Sequence, residues 1–264
     1  MKWNTLAVLV VASAFVLHAE TAQEKGKRIV SECLDALGGD RYLKMENREE
    51  TGRAYSFYRE RLSGLSIAKI YTRYYPVQDT EHDLGQRERE NFGKKEDYGV
   101  LFTDKEVWDI TYRGARPLPA DRFVRYKETT LRDIFYILRM RFHEPGMIFE
   151  SRGADVIENS PVEIVDITDA DNRTTKVYFH QITKLPVRQS FFRRNEVTKD
   201  RDEEVTRYSK YRDAGGIQWP FAIERDRNGE KIYEIFSDSV KVDNSKETDS
   251  LYSLPSTIKL LKPE

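Results

Sequence analysis

The sequence predicts a mainly antiparallel β fold with added α-helices (α+β): an open, incomplete β-barrel, or strongly curved sheet, with helices covering the concave face. Three observations point there. The stretch from Tyr208 to Pro255 holds two long alternating runs around Asn228-Gly229, the strongest short-range hairpin signal a sequence offers, with a Gly215-Gly216 turn before them. The aromatic content (15 Tyr, 13 Phe, 3 Trp) and the β-branched residues suit half-buried strands better than a helical core. A single helical insertion, stopped by Glu144-Pro145-Gly146, separates two series of strands joined by short turns.

The elements follow in order. An amphipathic helix is expected from Thr21 to Leu37, stopped by Gly38-Gly39. Asp40 can cap a short second turn that points Tyr42, Leu43 and Met45 inward. From Glu50 the period changes to two, and Arg53-Tyr55-Phe57-Arg59 and Leu65-Ile67-Lys69-Tyr71 make a hairpin around Ser63-Gly64. His82 to Glu96 is nearly all polar and reads as an exposed edge strand or a loop. Tyr98–Phe102 and Val107–Tyr112 form the next hairpin, and Gly114–Pro119, with two prolines, is expected to be loop. Thr130-Leu-Arg-Asp133 has the form of a capping box, after which Leu131, Ile134, Phe135, Leu138 and Phe142 share one helical face. A shorter amphipathic piece around Phe123–Tyr126 precedes it. Seven strands then run from Met147 to Val242, with Asp171-Asn172, Thr183-Lys184 and Asn228-Gly229 as turns.

Composition narrows the function classes. The 44 lysines and arginines nearly cancel the 45 aspartates and glutamates, which removes an electrostatic case for nucleic acid. Lys2, the apolar run Leu6–Leu17 and Ala19 describe a secretory signal peptide over residues 1–19, with a single domain over 20–264. The expected location is therefore periplasmic. Cys33, the only cysteine, shares helical spacing with Val30, Leu34 and Leu37 and reads as a small buried hydrophobe.

Several short motifs recur in a definite order. They are Ala36-Leu-Gly-Gly39 closing the first helix, Thr183-Lys-Leu-Pro186 between two strands, and Tyr211-Arg-Asp-Ala-Gly-Gly-Ile217 with Pro220. Val242-Asp-Asn244 and Leu251-Tyr-Ser-Leu-Pro255 close the series. In this order they resemble the outer-membrane lipoprotein-sorting proteins of the LolA/LolB fold, most strongly from Val177 onward. The resemblance implies an open barrel with a helical lid and non-covalent carriage of acyl chains in an apolar cavity. No functional residue is carried over from it.

No enzyme constellation, cofactor motif or metal-ligand spacing is present in the sequence. His82, His143 and His180 are far apart, and no nucleophile elbow or phosphate-binding glycine loop occurs. Asp169-Ala-Asp171-Asn172 is explained by a β-turn. The residues expected to line a ligand cavity are Trp108, Phe135, Leu138, Val177, Phe179, Trp219 and Ile223, each of which could equally be core. The expected function is a non-enzymatic envelope protein that binds a lipid or a lipoprotein acyl chain, with only transient membrane contact. The alternatives are an interaction or scaffold protein with a packed interior, using its Tyr- and Arg-rich strands to meet an envelope partner, and a hydrolase whose site the sequence does not show.

Overall fold

The computed structural model describes residues 19–77, 84–195 and 198–263. The expected leader, up to residue 18, and His82 lie outside the described residues. Helix α1 (Ala22–Leu37) forms where periodicity places it. Thr21 caps it: its hydroxyl accepts from the Glu24 amide while the Glu24 carboxylate accepts from the Thr21 amide, a reciprocal capping box. At the other end the Gly39 amide donates to the Leu34 carbonyl and Gly38 to Asp35, with Gly38 at φ 128°, so the helix closes in a Schellman motif. Helix α2 (Asp40–Leu43) buries Tyr42 completely, and Met45 follows it inward.

Among the described residues thirteen strands form one antiparallel sheet, which does not close. The first series is β1 (Asn47–Tyr58), β2 (Arg61–Tyr74), β3 (Gln86–Phe92), β4 (Tyr98–Phe102), β5 (Val107–Thr111) and β6 (Gly114–Pro117). The second is β7 (Ile148–Ile157), β8 (Ser160–Thr168), β9 (Thr174–His180), β10 (Pro186–Arg194), β11 (Arg201–Asp213), β12 (Gln218–Arg227) and β13 (Glu230–Val242). Each series is a meander, and the two join where β1 pairs with β13. The free edges are therefore β6 and β7, which are consecutive in sequence. The intervening chain has to cross from one edge of the sheet to the other, and it does so as helices α3 (Ala120–Arg132) and α4 (Ile134–Tyr136) with a π-helical turn over Ile137–Arg141. Topology alone thus lays a helical crossing over the sheet.

Four expectations change. The capping box at Thr130–Asp133 does not form: α3 is a full helix that ends there, and Asp133 is extended (ψ 129°). Its carboxylate instead accepts from the Phe135 and Tyr136 amides, making it the cap of α4. The first hairpin turns at Arg59-Glu60, both left-handed, while Gly64 pairs with Ser56 inside the ladder. Residues 86–92, expected at an edge or in a loop, form an interior strand between β2 and β4. The 114–117 segment is also a strand, placed at the edge where its proline is tolerated. The C-terminal tail covers that edge: Ala115 N–H donates to the Lys259 carbonyl and Leu261 N–H to the Ala115 carbonyl.

The main core lies beneath α1. Ile29, Val30, Cys33, Leu34 and Leu37 pack with Phe149, Val165, Ile167, Val177, Phe179 and Ile217, and Cys33 is the buried hydrophobe its spacing implied. Gly26 lets α1 reach β7, since a Cβ there would stand 2.6 Å from the Phe149 carbonyl oxygen. This half of the sheet is filled by side chains. The other half is not.

Candidate functional site

Between α3–α4 and strands β1–β5 and β10–β13 lies a cavity of about 1030 Å³, at the upper end of the volumes typical of small-molecule sites. Helix α3 supplies one face of it through Arg122, Arg125, Tyr126, Thr129 and Thr130, which recur at helical spacing. Both flanks of α3 are tied down. Tyr126 stacks on Phe102 of β4 (ring centroids 4.2 Å apart) and its hydroxyl accepts from Gln86 Nε2 of β3 at 3.0 Å. On the other flank Arg193 of β10 donates to Thr129 Oγ1 at 2.6 Å and pairs with Glu128 at 3.4 Å.

The cavity wall is amphipathic. Phe92, Val100, Phe102, Phe135, Trp219 and Ile223 provide apolar surface, while Arg48, Glu88, Glu90, Asp133 and Arg225 bring charge into the same space. The acidic pair comes from β3, Gln86-Arg-Glu-Arg-Glu-Asn-Phe92. A strand alternates its side chains between faces, so Gln86, Glu88, Glu90 and Phe92 turn to the cavity and the arginines turn away.

These charges are unequally satisfied. Arg48 Nη2 donates to Thr72 Oγ1 at 3.0 Å, and the Thr72 hydroxyl lies 3.3 Å from Glu88 Oε2. The Arg48 Nε stands 3.7 Å from Glu50, whose carboxylate also takes a short hydrogen bond from Ser237. Asp133 accepts from two amides of α4 and from the Tyr208 hydroxyl at 3.2 Å. Arg225 is different: it lines the cavity from β12 as an exposed side chain, and its contact is the Tyr233 ring, 5.6 Å away. Among the described residues it has neither an ion pair nor a hydrogen bond to protein.

Burial sets the titration of the acids. It pushes the Glu90 carboxyl up to about 8, with Glu88 adding to the shift and Arg225 opposing it. Burial raises Glu88 as well, against the pull of Arg48, Arg225 and the Thr72 hydroxyl. Asp133 is also raised by burial, despite Arg225 and the hydrogen bonds that favour its ionised form. Burial works against the charge on Arg225, but Tyr233, Asp133, Tyr208 and Glu88 outweigh it and hold the guanidinium protonated.

Three of the seven residues expected at a cavity line this one: Phe135, Trp219 and Ile223. The other four lie elsewhere. Leu138, Val177 and Phe179 are packed in the core beneath α1, and Trp108 packs against the cluster of Leu101, Ile110 and Ala115 beside the C-terminal tail. Sequence reading did not single out Glu88, Glu90 or Arg225. The available signal was the alternation of β3, where four of seven residues are charged yet Gln86, Glu88, Glu90 and Phe92 share a face. The other singled-out polar groups serve turns: Asp169 accepts from the Asp171 and Arg173 amides, and His180 Nδ1 from Ile182 and Thr183.

The fold is shared with solved structures of low sequence similarity. A DUF1329 family protein from Desulfovibrio piger superposes with a TM-score of 0.60 at 12% identity, covering 88% of this chain and 98% of that one. A putative outer membrane lipoprotein-sorting protein domain from Vibrio parahaemolyticus gives 0.57 at 10% identity, covering 87% and 97%. A LolA superfamily protein from Nitrosomonas europaea gives 0.52 at 10% identity, covering 89% and 98%. The resemblance read from the motifs is thus met at the level of fold. No protein-family model matches the chain, and no curated protein sequence matches it.

Proposed function

We propose that this protein is an exported, non-enzymatic carrier that takes up an amphipathic lipid, or the acyl chain of a lipoprotein, in the cavity between sheet and crossing helix. The observation that supports this reading most is the unfilled volume of about 1030 Å³ in a protein whose other half is tightly packed. Protein interiors of this kind are ordinarily close-packed, so an opening of that size has to be held by a built wall. Here the wall is a curved sheet and a helix latched on both flanks.

The driving force is removal of apolar surface from water. Each buried methylene contributes about 0.8 kcal/mol, so a chain of about sixteen carbons brings roughly 12 kcal/mol before ordering costs are subtracted. Reversible carriage needs part of that sum to be offset. The charged groups in the wall, which lose water when an acyl chain enters, supply such an offset.

A likeness of fold to a lipoprotein-sorting domain and a LolA superfamily protein agrees with this reading. Among the described residues no helix is long and apolar enough to cross a membrane. The rival reading, a scaffold that meets an envelope protein partner, calls for a filled interior, and the open cavity favours the carrier. Native mass spectrometry of the protein purified from a bacterial envelope tests the choice. A carrier shows lipid-sized adducts that a competing amphiphile displaces; a bare mass that no amphiphile shifts argues for the scaffold.

A further inference from the structure

We propose that the polar end of the cavity recognises a zwitterionic head group, with an anionic oxygen group on Arg225 and an ammonium group on Glu90. This rests on the reading of the cavity as a lipid site and names the class of lipid. Above its titration near 8 the Glu90 carboxylate carries a charge opposite to that of Arg225, and the two groups face one space without touching. Arg225 and Glu90 both line the cavity, and the Arg225 charge opposes the upward shift of the Glu90 carboxyl, yet the two form no ion pair. The Tyr233 phenol stands near both.

The neighbouring groups are already engaged. Asp133 is held by the α4 amides and Tyr208, Glu88 by Thr72, and Arg48 by Thr72, Glu50 and the Trp219 ring. Around Arg225 the sheet brings Thr206 and Tyr233 by register; around Glu90 it brings Ile70 and Val100. On the sheet side of the cavity the donors of Arg225 and the acceptors of Glu90 are therefore the open valences, while Arg122 and Arg125 of α3 face the same space from the helix side. Elsewhere this chain neutralises such charges internally, as where Arg207 contacts both Glu224 and Asp226.

A ligand filling the cavity strips water from both groups. An uncharged head leaves two charges desolvated, and a head of one sign leaves one. A head that carries both signs satisfies the two together with charge-assisted hydrogen bonds. Phe92, Val100, Phe102 and Ile223 then receive the acyl chain. Phosphoethanolamine has this chemistry, and so does a lipid whose head pairs a carboxylate with an amine.

The test is calorimetric titration of the purified protein at about pH 8.5, above the Glu90 titration near 8. Three lipids of one chain length are compared: lysophosphatidylethanolamine, lysophosphatidylglycerol and monoacylglycerol. The first should bind at least about tenfold tighter than the other two. Arg225→Gln should weaken both phospholipids and spare the monoacylglycerol, whereas Glu90→Gln should weaken the ethanolamine lipid alone. Arg225→Lys and Glu90→Asp keep the charges and should retain the preference, which separates recognition from misfolding. Equal affinities, a preference for the glycerol head, or variants that leave the order unchanged overturn the head-group assignment while the carrier reading stands. Failure of all three lipids to bind overturns the carrier reading itself.

Discussion

The Arg48 guanidinium lies 3.9 Å above the Trp219 ring, joining β1 to β12 across the inner face of the sheet. Both residues are buried, and both line the cavity. A cation on an indole face is attractive, and more so where water is excluded. Arg48 also stands between Glu50 and Glu88, so its charge neutralises the polar floor that the stack supports.

Arg48→Met should accordingly be among the most destabilising changes in the chain. It keeps much of the aliphatic volume but leaves Glu50 and Glu88 without their cation, a loss of about 3–5 kcal/mol. Urea unfolding measures it. Adding Glu50→Gln to the same chain should recover part of the loss, because one of the stranded charges is then gone.

The two flanks of α3 should control access to the cavity. Arg193→Ala removes the hydrogen bond to Thr129 and the pairing with Glu128, and Tyr126→Ala removes the stack on Phe102. Either change should speed hydrogen exchange in 120–132 while the amides of β11 to β13 keep their protection. Uniform acceleration across the sheet would show instead that α3 is an integral part of the global fold.

Stability should fall with pH through the Glu90 titration. The carboxyl titrates at about 8 in the folded protein against an ordinary 4.5, so between those values the folded state holds a proton that the unfolded state has lost. Stability is then fully present below about 4.5 and declines as pH rises towards 8. At about 1.4 kcal/mol per unit, reduced because water enters the cavity, the loss amounts to about 2–4 kcal/mol. Glu90→Gln should remove this component, leaving the variant more stable than the parent at pH 8 when thermal unfolding is compared across pH.

Gly26→Ala should destabilise the packed half without touching the cavity. Alanine favours helix by up to about 1 kcal/mol, but its methyl would meet the Phe149 carbonyl oxygen at 2.6 Å and the Ser151 amide nitrogen at 2.8 Å. Both obstacles are backbone and cannot rotate away. A net loss of about 1–3 kcal/mol is expected from denaturant midpoints, with lipid binding unchanged.

What the sequence made legible follows from the range of the forces involved. Thr21, Glu24, Gly38 and Gly39 act within one helical turn, and Asn228-Gly229 within one hairpin, so local chemistry sufficed. The cap at Asp133 misled because Thr130 and Asp133 have the spacing of a capping box, while the decisive contacts run forward to the Phe135 and Tyr136 amides. Strand β3 was obscured for a different reason. Its charge resembles a wet edge, and only its pairing on both sides with β2 and β4 places Glu88 and Glu90 inside. Trp219 and Val177 carry equivalent apolar signals and are both buried in the main core, yet only Trp219 also lines the cavity while Val177 lies beneath α1. That distinction depends on how far α1 extends across the sheet, which no periodicity encodes.

The most direct measurement is native mass spectrometry of the parent protein beside Ile223→Trp, a change that fills part of the cavity from β12. If the cavity carries lipid, the parent retains an amphiphile from the envelope, and the tryptophan variant, equally folded, has lost it or binds it at least about tenfold more weakly. A parent protein with no adduct, or a blocked variant that holds the same lipid equally well, would contradict carriage in this cavity.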